Sequence, residues 1–311
     1  MAERYAIVVA VDGSASSRAA ARWAATEAVR RDCGVFVVHV HEQPHTDQPS
    51  PLGLPEQLRE FSQPVVDEAV ELVRAAAPDI PVAGRVYLGS PVWTLLAISE
   101  QADLLVLGRR GMAVPTAQPV GATTIGIAAR AHCPVVAVPV SAAGASSPAG
   151  IGSAASRRIV IGLADRPTWG RALDFAIEEA ARQAAPLLAV RACNRSTAAC
   201  LDPMLTRCTQ LTEVSHLLAA HLTDRTPKVV ATPVVRADRP AGLLSELCRP
   251  DDLLVLGQHR HASYLPSVLG GVIADCLRQA PCPVAIVPEP AVTAEQPDQP
   301  WVAEAGDLIT S

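Results

Sequence analysis

Lysine is almost absent. Among 311 residues only Lys228 carries an ammonium group. The first half therefore cannot supply the G-K-[ST] step of a Walker A loop, and that route to a nucleoside triphosphate is excluded there. Rings are scarce too. Aromatic residues make up 3% of the chain while hydrophobic residues make up 49%, so the core must be built from Val, Leu, Ile and Ala. No charge of one sign dominates. Residues 1–150 hold 11 basic and 14 acidic side chains and the remainder 15 and 17, giving −3 and −2. Neither half has the positive excess of a general nucleic-acid binder, and no nucleic-acid partner is expected. The eight cysteines contain no C-x-x-C pair. Cys133 and Cys282 sit just before a predicted strand where a small apolar residue belongs, so the set reads as reduced thiols. No G-x-S-x-G nucleophile elbow occurs. The uncharged stretch Gly111–Ala129 is interrupted by two prolines and several Gly and Thr residues, which argues against a membrane span. A strand begins at once in MAERYAIVVAVDG, so no signal peptide and a cytoplasmic location are expected.

What the chain does have, it has twice. LLVLGRRGMAVPTAQPVGATTIGIAARAHCPVVAVP, from Leu104 to Pro139, matches LLVLGQHRHASYLPSVLGGVIADCLRQAPCPVAIVP, from Leu253 to Pro288, at an offset of 149 without a gap. The run from Ile7 matches the run from Ile159 at an offset of 152. A period of that size is a whole domain rather than a solenoid repeat. Within the first copy, apolar runs at Tyr5–Val11, Val35–Val40, Val82–Leu88, Leu104–Leu107 and Val135–Val140 predict strands. Helical patterns at Ser16–Arg31, Glu56–Ala77, from Val92, and near Thr123–Ala131 separate them. Alternating strands and helices predict parallel β-α-β units with right-handed crossovers. The expected organisation is a first domain over 1–140, a flexible Gly/Ala/Ser linker over 141–156, a second domain over 157–289, and a Pro- and acid-rich, disordered tail over 290–311 carrying Trp301.

Ligands of an open parallel sheet bind beyond the carboxyl ends of its strands. Two features of copy one fall there. Asp12, in VDGS, ends the first strand and could accept hydrogen bonds from sugar hydroxyls. Its bland alternative is a helix cap. Gly108-Arg109-Arg110-Gly111 follows the fourth strand, and nine residues later comes Gly121-Ala122-Thr123-Thr124. Such glycines let backbone N–H groups approach phosphate oxygens, and the second group opens a helix whose N-terminus favours anions. Arg109 or Arg110 could add charge, and Thr124 a hydroxyl. Tight turns are the bland alternative.

VVAVDGSASSRAAARWAATEA, the G-x2-G-x9-G spacing and the closing AHCPVVAVPV together resemble the universal stress protein family. The resemblance covers both halves. It implies two tandem doubly wound α/β domains, each a five-stranded parallel sheet of order 3-2-1-4-5, of the adenine nucleotide alpha hydrolase-like type. It implies ATP in the first copy, with Mg2+ as an optional companion. By matching position, Ala10, Val11, Asp12 and Val40 would contact adenine and ribose, and Leu107, Gly108, Arg110, Gly111, Gly121, Ala122, Thr123 and Thr124 would line the phosphates. The family places Ser or Thr where Ala122 stands, so one hydroxyl contact is lost. The second copy departs further. Ala164 stands for Asp12, Asp165 for Gly13, Arg260 for the second glycine, and Gly271 for the Ser or Thr, while Gly257 is retained. It reads as a scaffold or an altered pocket.

Relatives of this kind dimerise along the fifth strand, so the two copies are expected to pack as an intrachain pseudo-twofold pair through Val135–Val140 and Val284–Val287, with association of whole chains left open. His39-x-His41 and His259-x-His261 suit a metal in spacing, but no third ligand is evident and no metal site is expected. His41 and His45 lie near the predicted nucleotide edge. Trp23, Trp93 and Phe175 read as core, and Glu56, Glu60, Asp67, Glu68 and Glu71 as a solvated helix face. No catalytic residue stands out. The favoured function is a nucleotide-dependent stress-response regulatory module acting on an unidentified protein partner. The alternative is a slow ATPase or self-phosphorylating enzyme with Thr123, Thr124 or Ser14 as acceptor.

Overall fold

A computed structural model describes residues 5–42, 54–112, 120–141, 157–164, 170–193, 203–223, 229–258 and 269–289. The first copy runs β1 (Tyr5–Ala10), α1 (Ala15–Arg31), β2 (Val35–Glu42), α2 (Leu54–Ala76), β3 (Val82–Gly89), α3 (Pro91–Ser99), β4 (Ala102–Gly108), α4 (Ala122–Ala128) and β5 (Val135–Val138). The second repeats the order as β6 (Ile159–Leu163), α5 (Gly170–Arg182), β7 (Leu187–Cys193), α6 (Pro203–Thr223), β8 (Ala231–Ala237), α7 (Pro240–Leu247), β9 (Leu253–Gln258), α8 (Gly271–Gln279) and β10 (Val284–Pro288).

Each copy contributes a parallel sheet of the expected order, and the two sheets join. The strands form one ten-stranded sheet, β3-β2-β1-β4-β5-β10-β9-β6-β7-β8. Only β5 and β10 run antiparallel, with Val284 opposite Ala137, Ala285 opposite Val136 and Ile286 opposite Val135. All six side chains are buried, as the unbroken apolar runs require of strands covered on both faces. The seam therefore removes an apolar edge from each copy.

One apolar cluster spans both copies on a single face of the sheet, from Val37 and Trp23 to Leu173 and Leu187. On that face α1 and α5 meet across the seam through charge. Glu27 and Glu179 hold equivalent positions, 152 residues apart, and are 0% and 1% exposed. Arg31 Nε donates to Glu27 at 2.8 Å, and its Nη2 donates to Glu179. Arg182 and Gln183 also donate to Glu179, and Arg157 lies 3.9 Å from Glu27. Burial acts to raise Glu27, but Arg157 and Arg31 outweigh it and hold the acid well below its usual range. Burial and the adjacent Glu27 charge push Glu179 up to about 7. Two carboxyls this close cannot both ionise cheaply.

The helix faces explain two further points. Ser14 caps α1, its Oγ accepting from Ser17 N at 3.0 Å, which satisfies one of the orphan amides of the first turn. Trp23 is buried and Phe175 packs against the same cluster, but Trp93 is 67% exposed. The expectation that Trp93 is core is corrected: Arg130 lies over its ring at 5.0 Å, a contact made at the surface between α3 and the segment after α4.

Candidate functional site

Strands β1 and β4 are neighbours, with Ala10 opposite Leu107. Their carboxyl ends therefore deliver Asp12 and Gly108 to one place. Gly13 adopts φ +80, a left-handed conformation that suits glycine. The turn returns the chain over Asp12, whose Oδ1 accepts from Ser14 N at 3.0 Å and whose Oδ2 accepts from Met112 N at 2.9 Å. The carboxylate thus ties the β1 loop to the glycine loop. A Cβ on Gly111 would meet Asp12 Oδ2 at 2.8 Å, so a glycine is needed there for the approach. Burial acts to raise the Asp12 pKa, but hydrogen bonds from Ser14 and Met112 outweigh it and hold the carboxyl below its ordinary range. Two accepted bonds leave lone pairs free on a carboxylate, so the group stays ionised and able to accept more.

Gly108 has a different role from the one its spacing suggested. A Cβ there would lie 2.7 Å from both Ser16 C and Ser17 N. The glycine allows the end of β4 to pass close to the start of α1. Ser16, which spacing did not single out, ties the same region together. Its Oγ donates to Val138 O at 3.2 Å and accepts from Arg110 N at 3.2 Å. Gly121 is the N-cap of α4, and its N–H donates to Arg109 O at 3.0 Å. Ala122 is exposed and Thr123 half-buried. Thr124 is buried and its hydroxyl donates to Gly108 O at 3.0 Å. That proton is committed, so at this position Thr124 holds β4 to α4 rather than offering a donor to a phosphate.

The side where adenine is expected is less polar. Ala10 and Val40 are half-buried at the rim of an apolar cluster that also takes Tyr87, which stands opposite Val40 on β3. Val11 is instead buried in the cluster on the other face, so its contribution to a ligand would be through its backbone. Leu107 is likewise buried. His39 Nδ1 lies 2.7 Å from Val11 O and His41 Nδ1 lies 2.9 Å from Ser62 Oγ. Each ring is held by its own partner. No group of three metal-ligating side chains occurs among the described residues. His45, Asp165, His259, Arg260 and His261 lie outside the described residues.

Arg109 does not face the pocket. It is 7% exposed, and its guanidinium crosses the seam to Ala280 O and Cys282 O, both at 2.7 Å. The expected phosphate charge from Arg109 is therefore not a direct contact, because the side chain is consumed by copy two.

Copy two arranges the matching position with other groups. Ala164 ends the strand, exposed and without a carboxylate. Glu289, just after β10, reaches the start of α5 instead, accepting from Arg171 N at 3.1 Å and Ala172 N at 2.7 Å. A Cβ on Gly257 would lie 3.3 Å from the Glu289 side chain. Burial raises the Glu289 pKa despite those two amides. Nothing local in the sequence marks Glu289 as a cap, since it lies 117 residues from Ala172.

The pairing of this loop geometry with a duplicated chain is matched by one family model, that of the universal stress protein family, over residues 4–139 and again over 155–288. The chain belongs to the universal stress protein family. It is a tandem member, two domains in one chain. Universal stress protein Rv2005c of Mycobacterium tuberculosis is 30% identical over 294 residues, covering 91% of this chain and 97% of that protein. Universal stress protein Rv1996 of the same organism is 31% identical over 322 residues, covering 93% and 97%. The crystal structure of a universal stress protein from Archaeoglobus fulgidus matches with a TM-score of 0.64 at 14% identity, covering 91% of this chain and 98% of that one. At that identity the likeness speaks for the fold. No helix among the described residues is long and apolar enough to cross a membrane.

Proposed function

We propose that this tandem universal stress protein binds ATP in copy one, residues 1–140, at about one nucleotide per chain. Copy two, residues 157–289, is the altered copy that supports and reads out the first. The observation that carries the reading is the Asp12 carboxylate, ionised, bonded to amides of both loops and set against Gly111. Its remaining lone pairs suit ribose hydroxyls. Ala122 and Thr123, the first residues of α4, would offer backbone N–H groups to phosphate oxygens, while the Gly121 N–H is held by Arg109 O. Ala10, Val40 and Tyr87 offer an apolar rim for adenine. Mg2+ would enter with the phosphates, since no protein cluster is present for it among the described residues. Arg110, Thr123 and Ala122 belong to the same two segments and would border the nucleotide.

Binding without rapid turnover is favoured. The hydroxyl of Thr124 is buried and bonded to Gly108 O, and Ser14 Oγ donates to Arg110 O at 3.3 Å and caps α1. Two of the three candidate acceptors, Thr124 and Ser14, are thus engaged in holding the loop. The expected role is a nucleotide-dependent regulatory module of the cytoplasm that acts through a protein partner. Mass spectrometry of nucleotide carried through purification, with calorimetry of ATP in the presence and absence of Mg2+, tests this. One ATP per chain supports the reading. Two equivalent sites, or no adenine-nucleotide binding, would overturn it.

A further inference from the structure

We propose that Arg109 is the residue that couples the copy-one pocket to copy two, so that nucleotide occupancy in one is felt at helix α8 of the other. The inference rests on the ATP reading of copy one.

Arg109 sits in the middle of the glycine loop and fixes it on three sides. Its N–H donates to Val138 O at 2.8 Å, at the end of β5. Its carbonyl accepts from Gly121 N at 3.0 Å, which sets the second glycine segment against the first. Its side chain leaves the pocket and crosses the seam, with Nη1 on Ala280 O and Nη2 on Cys282 O. Ala280 is the C-cap of α8. A guanidinium at the carboxyl end of a helix meets the negative end of its dipole and the carbonyls that the helix leaves unpaired. The planar fork matches two carbonyls in a fixed geometry.

This cation is buried, and the guanidinium contacts of the described residues are two carbonyl dipoles. An anion arriving at the glycine loop would add a full negative charge in a medium of low dielectric, where attraction is strong. The fork cannot slide along its two carbonyls without breaking a bond. A small shift of the loop on binding is therefore passed to residues 280–282 rather than absorbed.

Helix α8 carries the shift onward. It starts at Gly271 with Gly270 as N-cap, the copy-two counterpart of the Gly121 segment. Its nine residues span roughly 13 Å at the standard helical rise. One end is clasped by copy one's glycine loop, and the other opens the corresponding place in copy two. A second contact runs in parallel. Val120, Ala128 and Ala129, which flank and end α4, share an apolar cluster with Ile273, Cys276 and Leu277 of α8. The traffic is one-way in charge, because the position matching Arg109 in copy two, 149 residues on, is the neutral Gln258.

Coupling between sites is reciprocal in free energy, which makes the idea testable from both ends. Calorimetry of the full wild-type chain with ATP comes first; no binding overturns the nucleotide reading and the coupling with it. With binding measured, hydrogen exchange of residues 271–288 is followed with and without ATP. The expected result is slower exchange there on binding. In Arg109→Met that response should vanish and ATP affinity should fall on the order of tenfold, within the usual range of inter-site coupling. Arg109→Lys keeps the charge but not the fork. It should leave α8 unresponsive and, coupling being reciprocal, keep the affinity reduced. Should Arg109→Met fold poorly, the lysine variant alone decides the matter. Wild-type exchange at 271–288 that ignores bound ATP, or a lysine variant whose α8 responds as wild type does, would overturn the coupling while leaving ATP binding intact.

Discussion

Copy one and copy two share a fold, a strand order and a closing strand, yet they treat the start of their first helix in opposite ways. In copy one the Ser17 amide of α1 is met by the small hydroxyl of Ser14, and the Asp12 carboxylate is turned to bind the two loops together. In copy two the amides of α5 are met by a full carboxylate, Glu289, brought from beyond β10. The first arrangement keeps a charged acceptor between the β1 and β4 loops. The second spends its acid on the helix and leaves Ala164 where the acceptor stood. The fold therefore does not depend on the motif. Copy two keeps the strand order and the seam with Ala164 in place of the acid.

The two matching glycines separate the copies most sharply. Gly108→Ala drives a Cβ to 2.7 Å from the backbone of Ser16 and Ser17, and backbone cannot give way as a side chain can. We expect a loss of stability of about 2–3 kcal/mol, as for overpacking, and loss of ATP binding. Gly257→Ala meets only the Glu289 side chain at 3.3 Å, and should cost under about 1 kcal/mol. Denaturant melts of the two variants check this; equal costs would erase the distinction.

Next is Asp12. Asp12→Ala leaves the Ser14 and Met112 amides without their acceptor and removes the ribose contact. ATP affinity should drop by roughly 10–100-fold, the value of a hydrogen bond to a charged group. The converse variant, Ala164→Asp, should add no second site, because Arg260 and Gly271 still differ from the copy-one motif. Titration stoichiometry tells the two apart.

The pair at the α1–α5 junction should respond to pH. Glu179 is raised in the folded chain to about 7 from an ordinary value of 4.5. Its contribution is therefore complete below pH 4.5 and lost as pH rises through about 7. Stability should fall by on the order of 2 kcal/mol between pH 5 and pH 8. Glu179→Gln, which keeps the neutral shape, should flatten that slope. Glu27 is lowered and works the other way: its contribution holds above 4.5 and is lost only as pH falls towards about 2. Melting at stepped pH reads both.

The smallest expected effect is a gain. Ala122→Ser restores a hydroxyl at the exposed start of α4 and should tighten ATP about tenfold. It would bring copy one closer to the family pattern and widen its distance from copy two. Thr124 cannot supply the missing donor while its proton goes to Gly108 O. An unchanged affinity would mean that backbone N–H groups alone hold the phosphates.

Much of the fold was legible because it is written locally. The apolar runs Ile7–Val9 and Leu104–Val106 have no polar residue to expose and read as strands covered on both faces. The meeting of two edges is expected from the duplication together with the family resemblance, whose members pair along the fifth strand. The chemistry of individual side chains was less legible. Arg109 reads as a phosphate ligand from its neighbours, but its partners lie 171 and 173 residues away. Trp93 reads as core from its type, yet nothing in a ring says that an arginine will cover it at the surface. Glu289 and Ser16 act through contacts that exist only once the strands are in place. Spacing locates backbone; it does not aim a long or polar side chain.

The register of the central seam has one more consequence. Val136 and Ala285 are equivalent residues of the two copies and stand opposite each other, so the local axis of the pair passes between them. Two identical copies would bring the same residue to that axis from both sides. Copy one joined to itself would set valine against valine, and copy two would set alanine against alanine. The first would crowd the layer and the second would leave a hole, each at about 1 kcal/mol or more. The mixed pair fits because one side is larger where the other is smaller. The seam is thus a lock and key of unequal parts, and each half is the other's preferred neighbour.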